Sequence, residues 1–402
     1  MRSLIGSRFG RAVLGVGLGA ALAVAVVVLG AAGVAGASGA PAGAAVASVS
    51  AAHNGVIPAP GSIVVVRRSA GHDSLWSVDP VSATATRLVA LPFRPARVEQ
   101  SPGGRRLAYL PTTAGPKVYV YDTHTGTLLS RSLAARGVKV VDSLTWLSST
   151  KLLVAGKSTR GATSYPFTDR LYVLNAVTGA SARYRKLAGT EPSVAPAAAL
   201  LVYVHLSEGG HVSSGSPLRW VFERLYRLKL VSGAKPHLIG SVKYASGYDV
   251  RRFHDPRLSL DGKYLITSTT GSDISVSYMV RSAATGKARR TVNTELAGRE
   301  ATAWSSLSDR VAFWSMPLAD NTNTTQLLVY KPAGNVLSHS AKLSKVAVTG
   351  FAWSANDALL AYSLRGFNSL DDVAELWTID PTTLSSSTPT DLGAGSMPVF
   401  VP

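Results

Sequence analysis

The chain has no cysteine among its 402 residues. This absence excludes disulfides, thiolate zinc sites, cysteine nucleophiles and the acylated cysteine of a lipoprotein. Charged residues are scarce at 16%, and acids are the scarcer kind, with 23 Asp and Glu against 41 Lys and Arg. The net charge of +18 therefore favours anionic partners such as phosphate-bearing polymers, acidic glycans and lipid headgroups.

Catalytic signatures are missing as well. No G-x-S-x-G elbow is present, and no P-loop or dinucleotide fingerprint follows a predicted strand. His205, Glu208 and His211 are spaced like metal ligands, but they do not form the helical H-E-x-x-H pattern, and we interpret them as part of a polar loop. We therefore predict no catalytic residue, no metal site and no cofactor.

Two smaller polar groups have a structural interpretation. His254-Asp255 is compatible with a bound ion or a proton shuttle, but we expect a hydrogen bond inside the fold. Asp79, Asp122 and Asp380 could suggest calcium, yet an Asp that opens a turn caps that turn with its side chain.

The N-terminus is typical of an exported protein. Arg2, Arg8 and Arg11 precede an uncharged apolar stretch, residues 12–37, that ends in the small residues Ala35-Gly36-Ala37. The stretch fits a cleaved signal peptide or an uncleaved membrane anchor, since about 20 apolar residues span a bilayer. Either form predicts that the rest of the chain is extracytoplasmic, secreted or membrane-anchored. Residues 38–61 are rich in Ala, Gly, Ser and Pro and predict a flexible linker.

From residue 62 onward, one short apolar segment recurs seven times. Its copies are Leu75-Asp79, Val118-Asp122, Leu171-Asn175, Leu225-Lys229, Ser277-Arg281, Leu327-Lys331 and Leu376-Asp380. Most copies are apolar at four consecutive positions, which is typical of a strand that is covered on both faces. A polar turn that closes on glycine follows several copies, for example at Gly126, Gly179, Gly233 and Gly286.

A predicted hairpin precedes each copy, so each repeat is a four-stranded meander of about 50 residues, the blade length of propellers. In the seventh repeat this hairpin is split between Met397–Pro402 and Ile63–Val66 at opposite ends of the chain. We therefore predict an all-β, seven-bladed propeller over residues 62–402 that is closed by its termini. A β-sandwich with a second domain is the alternative.

The hairpin motifs carry a resemblance to a known family. Ser101-Pro102-Gly103-Gly104-Arg105 and Ser259-Leu260-Asp261-Gly262-Lys263 resemble the repeat of TolB-type propellers, a WD-like repeat of bacterial envelope proteins. Trp304-Ser305 and Trp353-Ser354 begin shorter versions of the motif. The resemblance implies the propeller fold and leaves the function open, because propellers include both binding proteins and enzymes.

Long connections between second and third strands predict an elaborated face, which the blade-to-blade connections share. Aromatic and arginine side chains on such loops are typical of recognition sites. The candidate ligand-binding residues of this face are Arg160, Tyr165, His211, Trp220, Tyr248, Arg251, Arg252, His254, Arg365 and Phe367. We expect Arg160, Arg251, Arg252 and Arg365 to contribute to one positive surface.

These observations favour an extracytoplasmic, non-catalytic binding or scaffold propeller of the cell envelope. Its expected partner is an envelope protein, a peptide or an anionic polymer, and the expected state is a monomer. The alternative is a lactonase- or lyase-like enzyme with acids and bases at the central channel. A nucleic-acid partner fits the charge but neither the predicted location nor the motifs.

Overall fold

The computed structural model describes residues 53–158, 169–246, 251–270, 276–294, 302–316, 324–344, 346–366 and 374–402. The predicted signal or anchor segment lies outside these residues. The described part is a ring of seven antiparallel sheets, which confirms the seven-bladed propeller. Its one described helix is a single 3₁₀ turn, Ala134–Arg136. No described helix is long and apolar enough to cross a bilayer.

Each blade is a four-stranded meander, numbered here from the ring closure, with its first strand nearest the axis. The strands of blades 1 to 3, from first to fourth, are Ser396–Phe400, Ile63–Ser69, His72–Val78 and Ala85–Ala90 in blade 1; Pro95–Gln100, Arg106–Pro111, Lys117–Asp122 and Thr127–Ser132 in blade 2; and Val140–Trp146, Lys151–Lys157, Arg170–Asn175 and Ser181–Ala188 in blade 3. Those of blades 4 and 5 are Thr190–Ala195, Leu200–His211, Arg219–Lys229 and His237–Ala245 in blade 4, and Arg251–Leu258, Tyr264–Thr270, Val276–Ser282 and Ala288–Thr294 in blade 5. Those of blades 6 and 7 are Ala303–Trp304, Val311–Ser315, Thr324–Lys331 and Val336–His339 in blade 6, and Val346–Trp353, Leu360–Gly366, Glu375–Ile379 and Thr390–Ala394 in blade 7.

The seven apolar copies form the third strands of the seven blades, as predicted. The core lies between neighbouring sheets, where side chains of adjacent blades interdigitate. Between blades 2 and 3, for example, Val118 and Val120 pack in one cluster with Leu144, Leu152 and Tyr172. Strands covered on both faces need apolar residues at consecutive positions, which is why the repeat is not strictly alternating.

The termini close the ring. Ile63 pairs with Phe400 and Val64 with Val399, so the C-terminal segment supplies the inner strand of blade 1. Each inner strand contacts that of the next blade all around the axis, including the step from blade 7 to blade 1. The predicted closure is confirmed, and it leaves no open inner edge between the first and last repeats.

Residues 53–61, the described part of the predicted linker, lie against blades 1 and 2. His53–Asn54 adds a short fifth strand to the outer edge of blade 2. The Gly55 amide then donates to the Gly126 carbonyl at 2.8 Å, and the Val56 amide to the Leu88 carbonyl at 3.0 Å. Leu343–Ser344 similarly adds a short strand beside the third strand of blade 6.

Blade 4 departs from the predicted loop pattern. Residues 207–219 are one of the long connections that the sequence predicts between second and third strands. In the structure the second strand continues to His211 and the third begins at Arg219. Gly209 permits this extension, because a Cβ there would lie 2.6 Å from a ring carbon of Phe222 on the third strand. The fourth strand follows, with Ala245 paired to Trp220, so the three outer strands of blade 4 form a projecting arm.

The predicted turn chemistry is confirmed. Asp79 Oδ1 accepts the Val81 amide at 2.7 Å, and Asp380 Oδ1 accepts the Thr382 amide at 2.8 Å. Gly126 closes its turn with φ of +68°, a conformation that favours glycine. These aspartates therefore act as turn caps.

Candidate functional site at the propeller axis

A cavity of about 630 Å³ follows the axis and is lined by the inner strands of all seven blades. Its rim consists of turns between first and second strands, among them residues 101–104, Ala197, Leu260 and Ala355. We call this end of the ring the hairpin face. The opposite end, which carries the blade-to-blade connections and the connections between second and third strands, is the loop face.

The wall of the cavity is largely apolar. Val98, Val194, Leu258, Phe351 and Val399 line it from five different blades. These residues occupy different positions of their inner strands, and each of them lines the cavity. The wall can therefore bury apolar side chains of a ligand.

Three tryptophans connect the inner strands at this level. Trp146 Nε1 donates to the Glu99 carbonyl at 2.9 Å, Trp304 Nε1 to the Arg257 carbonyl at 2.8 Å, and Trp353 Nε1 to the Ala303 carbonyl at 2.9 Å. Each bond reaches back to the preceding blade. Besides packing against the core, each tryptophan thus donates a hydrogen bond that sets the spacing of the blades.

Four charged side chains cross the axis and form what we call the axial brace: Arg97 and Glu99 of blade 2, with Asp255 and Arg257 of blade 5. Arg97 Nη2 contacts both Glu99 and Asp255 at 3.0 Å. Arg257 contacts Glu99 at 2.5 Å and Asp255 at 3.3 Å. Blades 2 and 5 are three steps apart around the ring, so these ion pairs span the channel. The two positive and two negative charges balance.

Burial alone would raise the pKa of Asp255, which is 8% exposed. The charges of Arg257, Arg97 and His254 outweigh that effect, so the pKa of Asp255 lies below its usual value. The carboxylate is therefore ionised over the whole physiological range.

Next to the brace, Glu191 of blade 4 binds two consecutive residues of blade 5. His254 Nδ1 lies 2.8 Å from Glu191 Oε1, and the Asp255 amide donates to Glu191 Oε2 at 2.8 Å. The hydrogen bond expected for His254-Asp255 inside the ring is present.

The backbone explains the position of these acids. Glu191 and Asp255 each precede a proline, and their φ angles are +50° and +46°. Both lie at irregularities in the pairing of their inner strands, and such bulges redirect a side chain. Met397, before Pro398 in blade 1, repeats this feature with φ of +52°.

A further carboxyl lies beside these groups in blade 3. Asp169 is fully buried at the start of the third strand, near Asp142, which contacts Lys157 at 3.0 Å and Thr190 at 2.8 Å. Burial, reinforced by the charge of Asp142, raises the pKa of Asp169 to about 7. This group therefore titrates near neutral pH.

The structure divides the candidate residues of the loop face. Arg160, Tyr165, Tyr248 and Phe367 lie outside the described residues. Arg251 and Arg252 belong to the inner strand of blade 5, but their side chains are outside the described part.

The other four candidates lie in three different places. His211 and Trp220 are on the arm of blade 4, where Lys243 Nζ lies 4.0 Å from the centre of the Trp220 ring. His254 lies at the axis with Glu191, and Arg365 lines a smaller pocket on the loop face. The described candidates therefore do not form one cluster.

The possible metal ligands of blade 4 have other contacts. Glu208 pairs with Arg219 at 3.2 Å, and His211 Nδ1 lies 2.7 Å from the Ser216 carbonyl. Among the described residues, no group of three His, Asp or Glu side chains is arranged to hold a metal.

Sequence reasoning missed the axial brace. Its one local signal is Asp255-Pro256, an X-Pro pair that recurs within other inner strands as Glu191-Pro192 and Met397-Pro398. The pairing of blade 2 with blade 5 could not be inferred in this way, because 158 residues separate Arg97 from Asp255.

Comparisons with known proteins are consistent with the fold. No family model matches the chain, and no curated protein matches its sequence. TolB from Acinetobacter baumannii is 15% identical, with 85% of this chain and 82% of that one covered and a TM-score of 0.44. A putative 6-phosphogluconolactonase from Bacteroides fragilis is 13% identical, covers 84% and 96%, and has a TM-score of 0.49. Dihydro-heme d1 dehydrogenase NirN is 13% identical, covers 87% and 80%, and also scores 0.49. The seven-bladed ring is consistent with the propeller fold that the hairpin motifs predict.

Proposed function

We propose that the protein is an extracytoplasmic, non-catalytic binding propeller of the cell envelope, which holds a segment of another envelope protein in its axial cavity. The observation that carries this proposal is the form of the cavity. It has a rim of turns on the hairpin face, a largely apolar wall and charged side chains whose ion pairs balance. The extracytoplasmic location rests on the arginine-rich and apolar residues 1–37 of the sequence.

The cavity favours a peptide segment over an anionic polymer. Ligand sites of about 300–1,000 Å³ with mostly apolar walls and a few polar groups are typical of specific binding. Because the axial brace contributes no net charge, it offers a polymer of repeated anions no electrostatic advantage. Val98, Leu258 and Phe351 instead provide a surface for apolar side chains.

The ion pairs of the axial brace favour binding over catalysis. A general base must accept a proton from its substrate, so its lone pairs must be accessible. Glu99 and Asp255 each contact two arginines, and the pKa of Asp255 is lowered against the effect of burial. An enzyme that acted through the channel would have to break this network in every cycle.

The proposal can be tested by site-specific crosslinking of the full-length protein in envelope extracts. A photoreactive residue replaces Ala197, which is exposed on the rim at blade 4. Ala355→Trp then obstructs the rim from blade 7. The control is Ala284→Trp, an exposed substitution in an outer turn of blade 5.

We expect one protein to crosslink at residue 197 through a single segment of its chain. Ala355→Trp should reduce the yield about tenfold, which corresponds to about 1.4 kcal/mol of binding free energy. Ala284→Trp should leave the yield unchanged. Equal crosslinking in both variants would exclude the cavity as the binding site.

A further inference from the structure

The projecting arm of blade 4 has two faces with different surroundings. Side chains alternate along its third strand, so Val221 points to one face and Trp220 and Phe222 point to the other. Val221 is fully buried and packs in one cluster with Phe253 of blade 5. On the opposite side, Tyr226 packs against the cluster between blades 3 and 4, but Trp220 and Phe222 on the arm are only half-buried. The described residues therefore cover one face of the arm and leave the other partly open.

Two cations lie over the rings of this open face. Lys243 Nζ, on the fourth strand, lies 4.0 Å from the centre of the Trp220 ring and 5.7 Å from the centre of the Phe222 ring. The guanidinium carbon of Arg224 lies 5.2 Å from the centre of the Phe222 ring. Rings and cations thus alternate on the sheet, and we call Trp220, Phe222, Arg224 and Lys243 the arm platform. The attraction between each cation and a ring face holds these long side chains in place.

The second strand of the blade supports the platform from beside it. A Cβ on Gly209 would lie 2.6 Å from a ring carbon of Phe222 and 3.4 Å from the Cβ of Trp220, so the glycine lets both side chains lie close to the sheet. Ser207 Oγ accepts a hydrogen bond from Arg224 Nη1 at 2.8 Å, which fixes the guanidinium. The platform is therefore largely formed before any ligand binds.

The acids nearest to the platform along the strands are engaged elsewhere. Glu208 pairs with Arg219 at 3.2 Å. Glu223 is fully buried on the opposite face of the arm, where its Oε1 accepts a backbone amide of blade 5 at 3.2 Å. Within the described part of the chain, neither Arg224 nor Lys243 forms an ion pair with an acid. The platform therefore carries two positive charges that an anionic ligand can balance.

We infer that the arm platform binds an acidic polysaccharide, whose sugar rings carry carboxylate groups. The C–H faces of a sugar ring are apolar and pack against half-exposed aromatic rings, here Trp220 and Phe222. The carboxylates accept hydrogen bonds from the guanidinium fork of Arg224 and from the ammonium of Lys243. An acidic peptide would pair with the same cations, but its acidic side chains offer the rings no apolar plane. An open sheet face also admits a long chain that continues beyond the site at both ends.

This site is independent of the axial cavity. None of the four platform residues lines that cavity, since they belong to the third and fourth strands of blade 4 and the cavity to the inner strands. Loss of glycan binding should therefore leave crosslinking at residue 197 unchanged. The failure of one proposal can be distinguished from the failure of the other.

The test is calorimetric titration of the full-length protein at low ionic strength with polygalacturonate, a polymer of acidic sugars. Poly-L-glutamate is the probe that has carboxylates without sugar rings, and dextran is the neutral glycan. Arg224→Gln with Lys243→Gln removes both charges of the platform. Its control, Arg87→Gln with Lys331→Gln, removes the same charge from exposed positions on blades 1 and 6.

A second variant tests the rings separately from the charge. Trp220→Leu keeps both cations and removes the larger ring. Its control is Trp377→Leu, which replaces another half-buried tryptophan, on blade 7. Each variant is used only if it retains the cooperative thermal transition of the wild type. Lys243→Gln alone, at an exposed position, replaces the double variant if that variant does not fold.

We expect saturable binding of polygalacturonate that is tighter than binding of poly-L-glutamate at equal carboxylate concentration, and no binding of dextran. The affinity for polygalacturonate should fall about tenfold in the charge variant and in Trp220→Leu, while both controls bind as the wild type does. Equal affinity for poly-L-glutamate would overturn the inference and indicate an acidic protein segment instead. An unchanged affinity in Trp220→Leu, an equal loss in the controls, or no saturable binding would overturn it as well.

Discussion

Arg97 Nη2 donates to Asp255 Oδ1 at 3.0 Å across the propeller axis, although the two residues belong to blades 2 and 5. Other contacts between inner strands join neighbouring blades, as the tryptophan bonds do. The brace instead ties one side of the ring to the other. Three of its four side chains, Arg97, Glu99 and Arg257, also line the axial cavity.

The first prediction concerns this brace. Asp255→Asn removes one carboxylate and leaves two partly buried arginines facing a single negative charge. Breaking a buried pair on one side typically costs about 3–5 kcal/mol, because the remaining charge is uncompensated. We expect a loss of about 3 kcal/mol in the free energy of unfolding, measured by urea denaturation at pH 7. The control Asp261→Asn breaks an exposed pair with Lys263, and it should cost less than about 1 kcal/mol.

Acid should abolish the difference in the free energy of unfolding between the wild type and Asp255→Asn. Because the pKa of Asp255 is lowered in the folded state, its contribution is complete above the pKa of the unfolded chain. It is lost as the pH falls through the lower, folded value. The wild type and Asp255→Asn should therefore converge in stability as the pH falls below 4. A gap that stays constant as the pH falls well below 4 would show that the charge of Asp255 is not the cause.

The second prediction concerns ring closure. Deletion of residues 396–402 removes the inner strand of blade 1, including the buried Val399, Phe400 and Val401. The exposed edge of Ile63–Ser69 would then present apolar side chains and unpaired backbone groups to solvent. We expect an aggregating protein without a cooperative thermal transition. Deletion of the exposed Pro402 alone is the control, and it should retain that transition.

Much of this architecture is predictable from local sequence. Third strands such as Val118-Asp122 are apolar at consecutive positions because both faces of a blade are covered, and their turns require Asp at the start and Gly at the end. Closure is predictable for a similar reason, since Met397–Pro402 lacks a partner strand until the two termini meet. Each of these features depends on a few neighbouring residues.

The site depends on relations that local sequence does not contain. Arg97 and Asp255 meet only because seven blades close at a particular radius. Arg67 and Arg365 lie in one pocket because the first and last blades are neighbours. The arm of blade 4 was missed because Gly209 and Gly210 normally indicate a turn, whereas Gly209 here makes room for Phe222 from the paired strand.

The third prediction uses two glycines with nearly the same backbone conformation. Gly126 and Gly233 have φ of +68° and +73°, but a Cβ on Gly126 would lie 2.2 Å from the Gly55 carbonyl oxygen, whereas one on Gly233 meets nothing within 4 Å. Gly233→Ala should cost only the left-handed backbone penalty of about 1–2 kcal/mol. Gly126→Ala should cost more and should detach residues 53–61 from blades 1 and 2. Limited proteolysis should then cut residues 53–61 in Gly126→Ala and not in Gly233→Ala. Equal protection of this segment in both variants would mean that the close approach of Gly126 to Gly55 is not required.

The last prediction concerns Asp169, whose pKa is raised to about 7 by burial and by Asp142. An acid with a raised pKa in the folded state holds its proton more tightly there than in the unfolded chain, where the pKa is about 3.9. Between these two values the folded state binds more protons, so stability falls as the pH rises, and it levels off above pH 7. Asp169→Asn removes this titration while nearly preserving the shape of the side chain.

The stability of Asp169→Asn relative to the wild type should therefore increase as the pH rises. We expect the difference in the free energy of unfolding, variant minus wild type, to increase by about 2–3 kcal/mol between pH 5 and pH 8. Urea denaturation at both pH values provides the measurement. The control Asp391→Asn changes an exposed carboxyl on the outer strand of blade 7, and its difference from the wild type should not vary between pH 5 and pH 8. A gap for Asp169→Asn that is equally independent of pH would mean that Asp169 is already ionised at pH 5 and that burial does not control its proton.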